Sequence, residues 1–164
     1  MAQPEGRTRE DARADGDPLL TINVNFTDIN AGDAIEPWSR QTEFMNWNRF
    51  AAVNDEFVPF HMDDDAGRAA KNEQGAFGMG NLRYTYIANA LRDWAGDEVI
   101  IREIGVQFRA INQKHDILTV TGKVTSKDVE DGEQRLRMDI DVVNQNGEST
   151  CPGHAILVWP AGQA

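Results

Sequence analysis

Two side chains that can exchange protons lie close together in the first half of the chain. Glu56 and His61 are five positions apart in a segment, 54–61, that contains Pro59 and is predicted to be a loop. A carboxylate and an imidazole can hold one water molecule between them and act as general acid and base. Asp55 is adjacent and also acidic, so the pattern indicates an acid–base site whose carboxylate is either Glu56 or Asp55.

A helix follows this candidate site, after a glycine-rich segment at 75–80. Apolar side chains recur at spacings of three and four over about 79–94, at Met79, Leu82, Tyr86, Ala90 and Trp94. The apolar face is too wide for a surface helix, so we expect the helix to be largely buried. Gly96 is the predicted terminator.

Strands are predicted after this helix, because the apolar period changes from 3.6 residues to 2. The alternating runs lie at about 104–110, 118–124, 136–142 and 155–159. In the last run either Ile156 and Val158 or Ala155, Leu157 and Trp159 face inward.

Turn signals lie between successive runs, at Asp131-Gly132 and Asn146-Gly147, and both predict hairpins. A buried helix followed by about four long antiparallel strands is most economically packed as a curved sheet around that helix. The sequence therefore predicts an α+β fold, and 164 residues suit one domain.

The region before the loop gives weaker signals. Residues 22–26 alternate and predict a strand, and Thr42 is the predicted cap of a helix that carries Phe44 and Trp47 on one face. Asp63 is predicted to open a short helix to about Ala70. Residues 1–17 are polar and charged, and we expect a disordered tail there, with the folded domain spanning 18–164.

The composition excludes several classes of partner. A net charge of −11 argues against binding to nucleic acid or to anionic lipid. No run of 18 apolar residues is present, so we expect no membrane segment. Cys151 is the single cysteine, which rules out an intramolecular disulfide and favours a cytoplasmic location.

The loop and the helix entry together resemble a known family, the MaoC-like, (R)-specific enoyl-CoA hydratases and dehydratases. Its motif runs Asp-x-Asn-Pro-x-His in a loop, with a His-Gly-Met step at the start of the central helix of a hot-dog fold. Pro59 and His61 anchor the match, which puts Glu56 at the aspartate and Val58 at the asparagine. Phe77-Gly78-Met79 falls on the His-Gly-Met step.

This resemblance implies a single hot-dog fold, an antiparallel sheet wrapped around the helix at about 79–94. It also implies reversible hydration of an enoyl-CoA, or dehydration of a 3-hydroxyacyl-CoA, by His61 with Glu56 or Asp55. The backbone N–H of Gly78 is expected to stabilise the thioester oxyanion, with Met79 beside it in the substrate site. No metal or redox cofactor is expected, because coenzyme A enters as part of the substrate.

Three departures from the family motif bear on this expectation. Glu56 is one methylene longer than aspartate, and a misplacement of about 1 Å can cost on the order of 100-fold in rate. The side chain of Val58 can neither donate nor accept a hydrogen bond where the family has a side-chain amide. Phe77 replaces a histidine.

Other functions and partners stay open at this point. A non-catalytic hot-dog subunit of a hetero-oligomeric hydratase is one alternative, and an acyl-CoA thioesterase is a weaker one, because Asp93 is the single acid on the helix and lies at its far end. We expect a homodimer or a hetero-oligomer with a related chain. The acyl group is left open, so fatty-acid and steroid side-chain metabolism both fit.

The remaining reactive side chains favour structural roles. His115 is predicted to lie in an exposed turn and His154 near the last strand, and the three histidines are too scattered for a metal site. Cys151 has no histidine close to it in sequence, which argues against a nucleophile.

Overall fold

The computed structural model describes residues 24–160. The expected disordered tail at 1–17 and the start of the domain at 18 lie outside the described residues. Within them the helices are α1 (Phe44–Asn54), α2 (Pro59–Met62), α3 (Asp64–Ala69) and α4 (Gly80–Ala95), and a short 3-10 turn spans Phe26–Asp28. The strands are β1 (Trp38–Gln41), β2 (Ile100–Val106), β3 (Ile117–Glu130), β4 (Glu133–Val143) and β5 (Gly153–Trp159).

The five strands form one antiparallel sheet in the order β1-β3-β4-β5-β2. Buried side chains from one face of its central strands join those of α4 in a single core, as the alternating pattern predicted. In the last run it is Ala155, Leu157 and Trp159 that are buried in this core. The α+β architecture with an antiparallel sheet around a central helix is therefore confirmed.

Helix α4 lies within one residue of its predicted bounds. Its apolar stripe is buried, with Ile87 and Leu91 fully inaccessible, and Gly96 follows the helix with a φ of 100°. A residue with a side chain is strained in that backbone region, so glycine ends the helix at low cost. Gly96 thus fixes where the helix ends, and the other end of the helix begins near the candidate site.

The predicted turn at Asp131-Gly132 joins β3 to β4, and both residues have positive φ. The predicted strand at 104–110 is wrong at both ends, because β2 runs from Ile100 to Val106. Phe108 lies beyond the strand and packs over Gly80, where a Cβ on the glycine would lie 2.9 Å from the ring. The apolar alternation continued through a segment that packs on the helix instead of extending the sheet.

Two local predictions before the site need correction, and one strand was not predicted. Residues 24–26 of the predicted strand lie outside the sheet, because Phe26 turns inward against Trp159 at a ring distance of 5.7 Å; 22 and 23 lie outside the described residues. The cap of α1 is Glu43 rather than Thr42, with the Glu43 N–H donated to the side chain of Asn46. β1 was not predicted, because three of its four residues are exposed and give no apolar alternation.

The start of α3 follows the prediction. Asp63 caps the helix by accepting the Ala66 N–H at 2.8 Å. Across the described range, no helix combines the length and apolar character needed to cross a membrane.

Candidate active site

His61 lies in the one-turn helix α2, where the sequence predicted a loop. Pro59 occupies the first helical position, where its missing N–H costs no hydrogen bond, and Val58 precedes it in an extended conformation. The His61 N–H is donated to the Val58 carbonyl at 3.0 Å. This turn carries the imidazole inward, and only 7% of His61 is exposed.

One hydrogen bond fixes the orientation of the His61 ring. Its Nδ1 lies 2.6 Å from the carbonyl oxygen of Phe77. A carbonyl oxygen can only accept, so Nδ1 carries the proton, and Nε2 keeps its lone pair when the ring is neutral. The rings of Phe60 and Phe77 lie against the imidazole edge-to-face, at 4.5 and 5.1 Å. The imidazole is therefore held in one tautomer between two aromatic rings, with Nε2 as its basic atom.

The two candidate carboxylates differ in their surroundings. Asp55 ends α1 in the left-handed region, with a φ of 54°, and is exposed. Glu56 is half-buried, and its Oε2 accepts a hydrogen bond from the Nδ2 of Asn81 at 3.3 Å. Asn81 lies in the first turn of α4, so Glu56 is directed to the start of that helix. In the described part of the chain, no hydrogen bond or ion pair joins Asp55 to that helix.

An open groove of about 690 Å³ lies beside this carboxylate. It is lined by Asp55, Glu56, Phe57 and Val58 from the loop and by Asn81 and Tyr84 from α4. His61 does not line it, and within residues 24–160 no hydrogen bond or ion pair joins Glu56 to His61. The structure thus brings both residues to the start of α4, with Glu56 bound at Asn81 and His61 bound at Phe77, but not into direct contact.

The backbone around Gly78 differs from the arrangement that the family resemblance implies. The Gly78 N–H is donated to the carbonyl oxygen of Asn112 at 2.9 Å, so it is not a free donor for an oxyanion. Met79, the other expected substrate contact, is fully buried in the core. Within residues 24–160 the Gly80 and Asn81 N–H groups, in the first turn of α4, have no backbone acceptor, because the first N–H groups of a helix have no acceptor within it.

Asn112 is the site residue that the sequence did not reveal. It is 1% exposed, and its amide lies directly over the α-carbon of Gly78. Its Nδ2 donates to the Oγ1 of Thr42 at 3.4 Å, and in the described part of the chain its Oδ1 has no hydrogen-bond partner. Asn112 lies in an irregular segment, where neither periodicity nor the family motif marks a functional residue.

A network of polar contacts supports the segment that leads into α4. Both carboxylate oxygens of Asp64 lie 2.7 Å from the Nζ of Lys114, and Oδ1 also accepts the Ala76 N–H at 3.0 Å. The hydrogen bonds from Lys114, followed by that from Ala76, lower the pKa of Asp64 below its usual value. The Nδ2 of Asn72 donates to the carbonyl of Gly75 at 2.6 Å and to the side chain of Gln113 at 2.9 Å.

The other reactive side chains lie away from this site. His115 is exposed in a turn as predicted, with a φ of 69°, and His154 pairs with Glu103 on the surface at 2.7 Å. Cys151 is fully buried, and burial raises the pKa of its thiol. Among the residues described, no group of three or more histidine, cysteine, aspartate or glutamate side chains is arranged to hold a metal ion.

Arg83 is a second buried polar residue that the sequence did not single out. It lies on the buried face of α4 and is 4% exposed. Its Nη1 donates to the carbonyls of Ala110 and Thr150, at 2.6 and 3.0 Å, and desolvation lowers its pKa. Arg83 therefore ties the segment that contains Asn112 to the central helix.

Comparison with known proteins shows what the fold resembles. No family model matches the chain, and no curated protein matches its sequence significantly. Solved structures do match. The (R)-hydratase PhaJ1 from Pseudomonas aeruginosa gives a TM-score of 0.74 at 24% identity, over 84% of this chain and 86% of that one.

Two further solved structures extend the comparison. A MaoC-like dehydratase from Rhodospirillum rubrum gives a TM-score of 0.70 at 20% identity, over 84% of this chain and 97% of that one. The ChsH1–ChsH2 complex from Mycobacterium tuberculosis gives 0.71 at 20% identity, over 80% and 98%. The TM-scores of these three structures establish a shared fold, so the predicted hot-dog fold and the resemblance to MaoC-like dehydratases and (R)-hydratases are confirmed at the level of structure.

Proposed function

We propose that the protein is a hydro-lyase that hydrates an enoyl-CoA, or dehydrates a 3-hydroxyacyl-CoA, at the start of helix α4. The observation that carries this proposal is the His61 imidazole, whose Nδ1 is bound to the Phe77 carbonyl at 2.6 Å so that Nε2 is the basic atom. A buried histidine held in one tautomer next to a helix N-terminus is suited to proton transfer. The shared fold with (R)-hydratases supports the same reaction class.

The proposed reaction needs one proton removed and one returned. His61 and Glu56 hold a water molecule, and Nε2 takes its proton as the water oxygen bonds to Cβ of the enoyl group. The electron pair of the double bond moves toward the thioester oxygen. The His61–Glu56 pair, which holds the proton taken from water, then delivers a proton to Cα and restores the thioester, so that H and OH have been added across the double bond. Dehydration is the reverse of these steps.

The negative charge on the thioester oxygen faces the positive end of α4. We assign its stabilisation to the first-turn amides of Gly80 and Asn81, because the Gly78 N–H is already donated to Asn112. Unpaired amides at a helix N-terminus favour an anion. The reaction consists of water addition and proton transfer, so it calls for no resident metal or redox group. Coenzyme A enters as part of the substrate.

A turnover assay tests this proposal. Purified protein is incubated with crotonyl-CoA, a long-chain enoyl-CoA and an enoyl-CoA with a fused-ring acyl group, and the loss of the enoyl-thioester absorbance is followed. We expect hydration of at least one substrate. Absence of turnover with all three, alone and together with a related hot-dog chain, would contradict the proposal.

A second candidate function is that of a non-catalytic subunit in a hetero-oligomeric hydratase. Two observations favour it: the Val58 side chain cannot hydrogen-bond where the family has a side-chain amide, and His61 does not line the groove beside Glu56. One solved structure that shares this fold is itself a complex of two different chains. If this candidate is correct, His61→Ala will leave the activity of such a complex intact.

A thioesterase function is disfavoured by the position of Asp93. Its Oδ2 accepts a hydrogen bond from the Trp38 indole at 2.8 Å, near the end of α4 remote from Glu56 and His61. Release of free thiol from acyl-CoA, measured alongside the hydration assay, distinguishes the two activities.

The mass of the purified protein in solution separates a monomer from the expected homodimer.

A further inference from the structure

We propose that Asn112 is a positioning residue for His61, acting through the peptide unit that joins Phe77 to Gly78. The expected effect on turnover rests on the proposed function. The expected effect on the orientation of the His61 ring rests on the contacts of that peptide alone, and a separate measurement tests each effect.

The Phe77–Gly78 peptide unit is held at both of its polar ends. Its carbonyl oxygen accepts the hydrogen bond from Nδ1 of His61 at 2.6 Å. Its N–H is donated to the backbone carbonyl of Asn112 at 2.9 Å. The imidazole, the peptide and the Asn112 carbonyl therefore form one chain of hydrogen bonds, in which each bond polarises the next. A rotation of this peptide would break both bonds together and release the ring.

The side chain of Asn112 prevents such a rotation by filling the space above Gly78. A Cβ built on Gly78 would lie 1.9 Å from Nδ2 and 2.6 Å from Cγ of Asn112, far inside contact distance. The φ of Gly78 is not positive, so backbone strain does not call for glycine here. Glycine is required because the Asn112 amide occupies the space that a side chain would take.

Asn112 is itself rigidly placed. Its amide touches Thr42, which is fully buried and which binds the following loop through a bond from Thr42 Oγ1 to the Gln113 carbonyl. On the other side, the Lys114–Asp64 ion pair joins the same loop to α3. The loop thus presents Asn112 to Gly78 as a fixed surface, and His61 takes its orientation from that surface.

Three variants test this chain of contacts: Gly78→Ala, Asn112→Ala and the double variant. A misplacement of about 1 Å can reduce turnover on the order of 100-fold. We expect Gly78→Ala to lose about that factor and Asn112→Ala to lose about 10-fold in kcat, with KM little changed. In the double variant the clash is absent, so Gly78→Ala adds no further loss to Asn112→Ala. Losses that multiply would overturn the proposal.

The tautomer of His61 provides a readout that does not depend on activity. Nitrogen-15 NMR of the ring should show the Nδ1-protonated neutral form in the wild type and a mixture of tautomers in Asn112→Ala. Asn89→Ala, at an exposed amide on α4, is the matched control and should keep the single tautomer. Circular dichroism checks folding, and Asn112→Ser serves as a second variant if the alanine form is unfolded.

The outcomes separate the two proposals. If the wild type shows no turnover but Asn112→Ala or Asn112→Ser loses the single tautomer, the proposed function fails and the positioning role stands. An unchanged tautomer in a folded Asn112 variant overturns the positioning role. A changed tautomer with unchanged kcat in an active enzyme overturns its catalytic consequence.

Discussion

His61 combines burial with a single hydrogen bond at Nδ1, and both follow from its neighbours. Pro59 starts the turn that carries it inward, and Phe60 and Phe77 enclose the ring. The family motif predicts that His61 and the Phe77–Gly78 step belong to the site. It did not predict that the Gly78 N–H is donated to Asn112, because that contact joins residues 34 positions apart and depends on how a loop packs.

The identity of the working carboxylate can be decided by two matched amide variants. We expect Glu56→Gln to reduce kcat by about 10²–10⁴-fold, the usual contribution of an acid–base group. Asp55→Asn should leave kcat unchanged, because Asp55 is exposed and asparagine tolerates its left-handed backbone. Steady-state kinetics on one enoyl-CoA checks both, and a larger loss in Asp55→Asn would show that the assignment is reversed.

Cys151 should be inert in the native protein. It is fully buried, and desolvation raises the pKa of its thiol, which Arg83 offsets only in part. We expect a thiol reagent such as dithiobis(nitrobenzoate) to leave Cys151 unlabelled at mildly alkaline pH until denaturant unfolds the chain. Labelling is followed by absorbance with and without denaturant; rapid stoichiometric reaction of the native protein would show that Cys151 is accessible.

At the scale of elements, the sequence predicted those that have a strong period. Apolar spacing and turn residues predict helix α4, the Asp131-Gly132 turn and the strands β3, β4 and β5. β1 and α2 were missed because one is exposed and the other is a single turn. Short elements carry too few residues for a period, and tertiary contacts decide their conformation.

The ion pair between Asp64 of α3 and Lys114 in the loop at 112–116 is expected to make the stability of the fold depend on acid pH. The pKa of Asp64 is lowered from its usual 3.8, first by the hydrogen bonds from Lys114. A folded-state pKa below the unfolded value means that the ionised carboxylate stabilises the fold above the unfolded pKa. This stabilisation is lost as the pH falls through the folded pKa.

Removing this carboxylate should therefore remove part of the acid dependence. We expect Asp64→Asn to be less stable than the wild type at neutral pH and its free energy of unfolding to fall less steeply below about pH 4. Denaturant unfolding between neutral and acid pH measures this. Asp139→Asn, at an exposed strand position, is the control and should keep the wild-type slope; an identical slope in Asp64→Asn would contradict the account.

At the scale of the whole molecule, one end of the central helix collects the candidate chemistry. The sheet buries one face of α4, whose first turn lies next to the Glu56 loop and the segment at 107–112, while α2 is bound to Phe77 just before the helix. β2 lies at the edge of the sheet with one side unpaired within the described chain, which suits association with a second hot-dog unit. The architecture followed from the sequence, whereas the side-chain contacts at the site required the packed structure.

The most direct measurement of the central claim is the turnover of an enoyl-CoA by the wild type and by His61→Asn. Asparagine removes the basic Nε2, whereas its side-chain N–H reaches about as far as Nδ1 and can still donate to the Phe77 carbonyl. We predict a loss in kcat of about 10²–10⁴-fold for His61→Asn in a protein that remains folded. Equal turnover by the two proteins would contradict the assignment of His61 as the base and with it the proposed site.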